Sequence, residues 1–155
     1  MKKAISSLLA AVTVSLVMSS VGSQVISAWT KEVPLKGSGA AQVTSVTPGP
    51  TGVMITADGS GEATHLGRFS RTEQILLNPA TGALSGTVTF FAADGSELYC
   101  DFTGGFTGPA TAAGTYTITG GTGRFQDSSG EAEFHILQGD PVNFTFQFEG
   151  LIDLL

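Results

Sequence analysis

The sequence ITGGTGRFQDSSG, residues 118–130, closes one segment of alternating apolar and polar residues and opens the next. Glycine tolerates positive φ and allows close approach of the backbone, so the glycines at positions 120, 121 and 123 indicate a sharp turn between two strands. The chain on either side repeats the same order of strand, tight turn and strand. This stretch therefore predicts an all-β fold.

Alternation and turn residues divide the chain after residue 30 into about eight segments, none with a helical period. The clearest alternation is in the last segment, where Val142, Phe144, Phe146 and Phe148 share one face. The sequence Gly37-Ser38-Gly39 is interpreted as an interruption of the first segment, and residues 58–61 as a bulge or bend in the second. The segments lie near residues 32–46, 52–66, 68–77, 83–92, 97–107, 114–119, 131–138 and from 142 onward.

Eight strands joined by short turns predict antiparallel neighbours, either in a closed up-and-down barrel or in a two-sheet sandwich. A closed barrel has no exposed edges, and eight strands enclose a space that side chains or one small ligand can fill. Small residues at Gly86 and Ala132 interrupt the apolar phase, which favours a cavity or groove. Periodicity alone leaves both architectures open.

The first residues are typical of an export signal. Lys2 and Lys3 precede an apolar run over residues 4–18, which is shorter than the roughly 20 residues of a membrane span. Small and polar residues follow at 19–23. We therefore predict a signal peptide over residues 1–23, with cleavage possibly as late as residue 28, a single domain over 29–155, a secreted or periplasmic protein and no membrane partner after signal removal.

Charge and cysteine content narrow the possible partners. Without the first 23 residues the chain keeps five cations and thirteen acids, a net charge of −8. Nucleic acids and anionic membranes need a basic patch, so both are excluded as expected partners. Cys100 is the only cysteine, so no internal disulfide supports the fold.

The turn Gly120-Gly121-Thr122-Gly123-Arg124-Phe125, followed by Gly130, resembles the allene oxide cyclase and dirigent barrel superfamily. The stretch 63–69 also resembles one that recurs in secreted bacterial proteins of this kind. The resemblance implies an eight-stranded antiparallel barrel, often trimeric, with an apolar cavity. The sharp turn that the three glycines allow fits this picture, since Phe125 can then plug one barrel end while Arg124 lies at the rim. The resemblance transfers no active-site residue, because nothing outside the turn matches the family's enzymes position by position.

The same turn lacks the features of a phosphate-binding loop. Gln126 stands where a dinucleotide fingerprint needs glycine, and no Lys-Ser or Lys-Thr pair follows. His65 and His135 are the only histidines and belong to no visible ligand cluster, whereas a metal site needs three or four ligands. We therefore expect neither a metal nor a cofactor.

Two charged residues share a strand phase with apolar ones. Arg71 and Glu73 alternate in phase with Phe69, Ile75 and Leu77. If that phase faces inward, the two side chains form a buried pair of a cation and a carboxylate. Such a pair would orient a ligand or change the pKa of a group in the barrel. The alternative is a change of phase or a position near an open barrel end; exposed Arg and Glu are the ordinary case, which favours this alternative.

The residues expected to bind a ligand are those that an inward phase would bring together. Cys100 is interpreted as a small core residue rather than a nucleophile, because no histidine base is visible beside it. The candidate ligand-binding residues are Arg71, Glu73, Cys100, Tyr116, Phe144 and Phe146.

Three functions remain open at this point. The leading one is an exported barrel without catalysis that binds a small apolar or amphipathic molecule. The alternatives are an isomerase or cyclase without cofactor, acting by confinement of its substrate, and a structural envelope protein. A filled interior would exclude binding and catalysis, a roomy one favours binding, and convergence of Arg71, Glu73 or Tyr116 favours chemistry.

Overall fold

The computed structural model describes residues 30–155, and the predicted signal peptide lies outside the described residues. Within them the chain forms eight strands and one short 3-10 helix, Gly123–Phe125, so the all-β prediction is confirmed. No helix in this part of the chain is long and apolar enough to cross a membrane. The strands are β1 (Lys31–Gly49), β2 (Gly52–Ala63), β3 (Gly67–Leu77), β4 (Ala83–Phe91), β5 (Glu97–Phe106), β6 (Thr111–Gly121), β7 (Ser129–Gln138) and β8 (Asn143–Leu154).

The strands close into an up-and-down barrel in sequence order, and β1 pairs with β8 to complete it. All neighbours are antiparallel. The barrel is confirmed and the sandwich is excluded. Because the side chains of a strand point alternately to its two faces, every second residue lies inside the barrel.

Two glycine-rich stretches run straight through the sheet, contrary to the sequence interpretation. Residues 37–39 continue β1, and residues 58–61 continue β2 opposite it without a change of register. The bulge lies instead at Thr44, between Val43 and Ser45. Strand β6 is also longer than predicted, since it begins at Thr111.

Phenylalanine rings from a neighbouring strand cover four inward glycines, at positions 37, 39, 86 and 114. Gly39 lies opposite Phe146, and a Cβ on Gly39 would come within 2.7 Å of that ring. Gly114 lies opposite Phe134 in the same way, at 2.6 Å. The expectation that small inward residues leave space is therefore wrong for Gly86, which lies opposite the ring of Phe102. Aromatic rings fill the middle of the barrel.

The connections at one end of the barrel, here called the closed end, are joined to one another. These are residues 64–66, 92–96 and 122–128, between β2–β3, β4–β5 and β6–β7. Arg124 Nε donates to Asp94 Oδ2 at 2.6 Å, and its Nη2 donates to the carbonyl of His65 at 2.6 Å. Phe125 is completely buried beneath them, so this phenylalanine plugs the closed end, as expected from the turn.

The opposite end, here called the open end, carries the connections 50–51, 78–82, 107–110 and 139–142. Asp140 is the only charged residue in these four connections. Large apolar side chains at this end are exposed: Val46 by 58%, Met54 by 41%, Phe106 by 49% and Leu137 by 57%. The open end is therefore apolar and nearly free of charge.

Candidate functional site

The inner face of β3 carries a buried ion pair. Arg71 Nη2 donates to Glu73 Oε1 at 3.0 Å, and the side chains are 0% and 3% exposed. Arg71 Nη1 donates to the hydroxyl oxygen of Tyr116, on β6 across the barrel, at 2.9 Å. The three side chains form one polar cluster inside an aromatic core.

Aromatic rings surround the guanidinium of this cluster. Arg71 Cζ lies 3.6 Å from the centre of the Phe146 ring, which is close enough for a strong cation–π interaction. The rings of Phe90 and Phe144 are both 5.9 Å from the same atom. Stacking therefore occupies a face of the guanidinium and leaves its edge for hydrogen bonds.

One donor of the cluster has no partner. Arg71 Nε is the only fully buried side-chain nitrogen or oxygen in residues 30–155 that makes no hydrogen bond. Such atoms are rare in folded proteins, because an unpaired buried donor costs about 1–3 kcal/mol. The atom marks a place where an acceptor would be stabilised.

Burial changes the acid–base properties of the cluster. It raises the pKa of Glu73, and the positive charge and hydrogen bond of Arg71 oppose that rise without cancelling it. Burial also raises the pKa of Tyr116 to about 12, so the phenol stays neutral. The cluster therefore holds a fixed cation, a neutral hydroxyl and a carboxyl group with increased proton affinity.

The sequence analysis favoured exposed positions for Arg71 and Glu73, and that expectation is wrong. Both point inward in unbroken phase with Phe69, and Arg71 is among the most buried large residues in the described chain. The physical reason is the partner on β6: Tyr116 supplies the hydrogen bond, and Phe146 the ring, that make burial of a guanidinium tolerable.

The cluster lies beneath the open end. Along the inner face of β3, Arg71 and Glu73 are buried, and the next two inward residues, Ile75 and Leu77, are partly exposed. Ile55 on β2 and Val43 on β1 are partly exposed at the same end. We call this partly exposed inward set the mouth; its members are Val43, Ile55, Ile75, Leu77 and Ile136.

The other candidates lie in the same interior. Phe144 is buried at 9% exposure beside the guanidinium. Cys100 is buried on β5, with Val88 between it and Glu73 in the register. Burial raises the pKa of the Cys100 thiol to about 12, which makes it a poor nucleophile and fits a core residue.

Sequence reasoning did not single out Phe90, although its ring packs edge-on against Tyr116 with centres 5.9 Å apart and faces Arg71. The available signal was its apolar phase on β4 opposite Arg71, but strand pairing cannot be read from one sequence. On the outer surface, a groove of about 1000 Å³ crosses β1, β2, β3, β7 and β8, and most of its lining residues are polar, such as Lys36 and His135. Residues 30–155 contain no group of His, Cys, Asp or Glu side chains placed to hold a metal ion.

Comparison with known proteins identifies the fold. No family model matches the chain, and no curated protein matches it by sequence. Among solved structures, the pterocarpan synthase dirigent protein GePTS1 is similar with a TM-score of 0.61 and 15% identity, over 81% of this chain and 89% of that one. PsPTS1, another pterocarpan synthase dirigent protein, has the same TM-score and identity over 80% and 95%. The chain thus has the eight-stranded barrel fold of the dirigent proteins.

Proposed function

We propose that the protein binds a small apolar or amphipathic molecule in the mouth, with Arg71, Glu73 and Tyr116 as the polar floor of the site. The buried cluster with its unpartnered Arg71 Nε carries this proposal. The mouth supplies apolar walls of Ile55, Ile75 and Leu77 around it. A few convergent polar groups beneath apolar walls are the usual composition of a small-molecule site.

Stability alone gives little reason for the cluster. Removing two charges from water costs several kcal/mol per ion, and apolar residues of similar size in the same place often leave a protein equally or more stable. The neighbouring rings of Phe90 and Phe146 show that this barrel can fill its interior with apolar groups. A ligand that hydrogen-bonds to the cluster accounts for its presence.

The filled middle of the barrel sets the depth of the site. Phe146 and Phe148 lie over the glycines of β1, so a ligand cannot extend to the closed end. It enters between the partly exposed residues of the mouth and ends at the polar floor. The expected ligand is therefore short, with one polar end and an apolar remainder.

Native mass spectrometry of the protein purified from its own host tests this proposal. Wild type is expected to carry a small-molecule mass that the double variant Arg71→Met/Glu73→Gln lacks. The matched control is Arg68→Met/Glu62→Gln, which removes an exposed ion pair on the outer face of β2 and β3 and should keep the mass. Bare wild-type protein, or equal loading of the two double variants, would contradict the proposal.

A second function is supported by the same groups. Arg71, Glu73 and Tyr116 form a donor, an acid or base and a hydroxyl within hydrogen-bond distance, and the increased pKa of Glu73 suits general acid–base catalysis nearer neutral pH. The similar solved structures are named as synthases. An isomerase or cyclase without cofactor would act on a confined substrate in this place.

The small molecules recovered from wild type and from Glu73→Gln distinguish the two functions. Catalysis predicts isomers, with the same mass and different chromatographic retention, because the variant holds unconverted substrate. Binding alone predicts either an identical molecule or none on the variant. Identical retention would exclude the catalytic role of Glu73.

Export and self-association complete the proposal. The lysine-led apolar segment over residues 1–23 supports a secreted or periplasmic location. The resemblance of the turn at 120–125 supports a homotrimer. Fractionation of host cells and the native mass spectrum report the location and the subunit number.

A further inference from the structure

We infer that the polar floor of the mouth selects a neutral hydrogen-bond donor, such as a hydroxyl group, and rejects a carboxylate. The inference rests on the proposed function and names the class of molecule bound: an apolar body with an alcohol-type head, as opposed to a fatty acid. It follows from the order and the hydrogen-bonding state of the groups on β3.

The order of the groups places the carboxylate first. β3 ends at the open end with Leu77, so Glu73 is closer to the mouth than Arg71. Exposure follows the same order: Ile75 and Leu77 are partly exposed, Glu73 is 5% exposed and Arg71 is 1% exposed. A molecule that enters through the mouth meets Glu73 before it meets the guanidinium.

The charge of the guanidinium is already paired with the carboxylate of Glu73. Both terminal nitrogens already donate, to Glu73 and to Tyr116, and Phe146 stacks on the group. Only Nε is free. In the ionised form that pairs with Arg71, Glu73 would lie beside a ligand carboxylate in a medium of low polarity, where two like charges repel strongly.

A hydroxyl group fits both open positions. It can donate to the Glu73 carboxylate and accept from Arg71 Nε, whereas a carboxylate can only accept. An alkylammonium can only donate, and its charge must be removed from water on entry. The site therefore favours an uncharged head that does both.

The experiment measures dissociation constants of octanol and octanoate for the purified full-length chain at neutral pH by calorimetry. Octanol is expected to bind wild type at least about tenfold more tightly, the ratio equivalent to one hydrogen bond to a charged group. In Glu73→Gln the side-chain amide can donate to octanoate, so the ratio should shrink or invert. Glu62→Gln, an exposed carboxylate on the outer face, should keep the wild-type ratio.

The outcomes separate this inference from the proposed function. Octanoate binding as tightly as octanol would overturn the inference while leaving a binding site in the mouth. Absence of binding of both probes, together with a bare native mass spectrum, would overturn both. Circular dichroism checks the fold of Glu73→Gln; if that variant does not fold, the wild-type ratio decides alone.

Discussion

The two ends of the barrel are built differently. At the closed end, Arg124 holds three strand connections together through Asp94 and the carbonyl of His65, and Phe125 is fully buried below. At the open end, side-chain hydrogen bonds among the described residues stay within one hairpin; Asp140, for example, accepts only from Val142 and Asn143 in its own turn. One end is cross-linked by side chains and plugged. At the other end, which has an apolar rim, only backbone hydrogen bonds within residues 30–155 link neighbouring hairpins, such as Phe106 N–H to the Gly82 carbonyl and Gln138 N–H to the Ala110 carbonyl.

The difference indicates where the barrel can move. Openings of low free energy occur where few buried contacts and few cross-links hold a segment. Movement of the open-end loops breaks hydrogen bonds at that end, including these backbone bonds, and leaves the plug intact. The polar cluster lies directly beneath these loops. The closed end thus stabilises the barrel, and the open end gives access to the polar cluster.

The largest expected effect concerns the plug itself. Phe125→Ala should lower the free energy of unfolding by about 3–5 kcal/mol, because a fully buried ring is lost and leaves a cavity. The matched variant Phe106→Ala removes a half-exposed ring at the open end and should cost less than about 1 kcal/mol. Urea unfolding followed by fluorescence measures both. Equal losses would show that the two ends contribute equally to stability.

A smaller effect tests how tightly the middle of the barrel is packed. Gly114→Ala places a Cβ against the Thr103 carbonyl and the Gly104 backbone of β5 as well as the ring of Phe134, and should cost about 1–3 kcal/mol. Gly139→Ala, in the β7–β8 turn of the open end, has Asn143 O as its nearest neighbour at 3.7 Å and should be nearly neutral. The same unfolding assay measures the pair. A neutral Gly114→Ala would mean that the interior has unused space.

The smallest expected effects are opposite pH dependences of two carboxyl groups. The pKa of Glu73 is raised in the fold, so the folded protein keeps a proton that the unfolded chain has lost. The stability that this proton contributes is complete below the unfolded pKa near 4.5, and it decreases as pH rises through the folded pKa. The stability of wild type relative to Glu73→Gln should therefore fall with rising pH. A flat difference would contradict the raised pKa.

At the closed end the sign reverses. The hydrogen bond from the Ser96 backbone, and then the one from Arg124, lower the pKa of Asp94. Its contribution is present above the unfolded pKa near 3.8 and decreases as pH falls through the folded value. The stability of wild type relative to Asp94→Asn should therefore fall on acidification. Unfolding series across acidic pH measure both carboxyl groups.

Much of the fold could be predicted, because alternation is a local property. The period of Phe144, Phe146 and Phe148 defines β8 and its inner face directly. The interruption assigned to residues 37–39 was wrong: these residues stay paired with β2 and β8, and rings of β8 cover Gly37 and Gly39. The rings that cover Gly37 and Gly39 are more than a hundred residues away in sequence.

The site was predictable only in part for a related reason. The shared phase of Arg71 and Glu73 with Phe69 was visible in the sequence, and it indicated the correct pair. Whether the pair is buried depends on Tyr116 and Phe146, which reach it from other strands. A single sequence does not show which strands bring Tyr116 and Phe146 next to Arg71.

The most direct test of the account is the nitrogen–proton resonance of Arg71 Nε in an NMR titration, assigned by its loss in Arg71→Lys. We expect an unbonded donor in the purified chain that gains a hydrogen bond as octanol saturates the protein, seen as a downfield shift and slower exchange with water. A resonance that octanol leaves unchanged at saturation would contradict the claim that the polar cluster is the floor of the binding site.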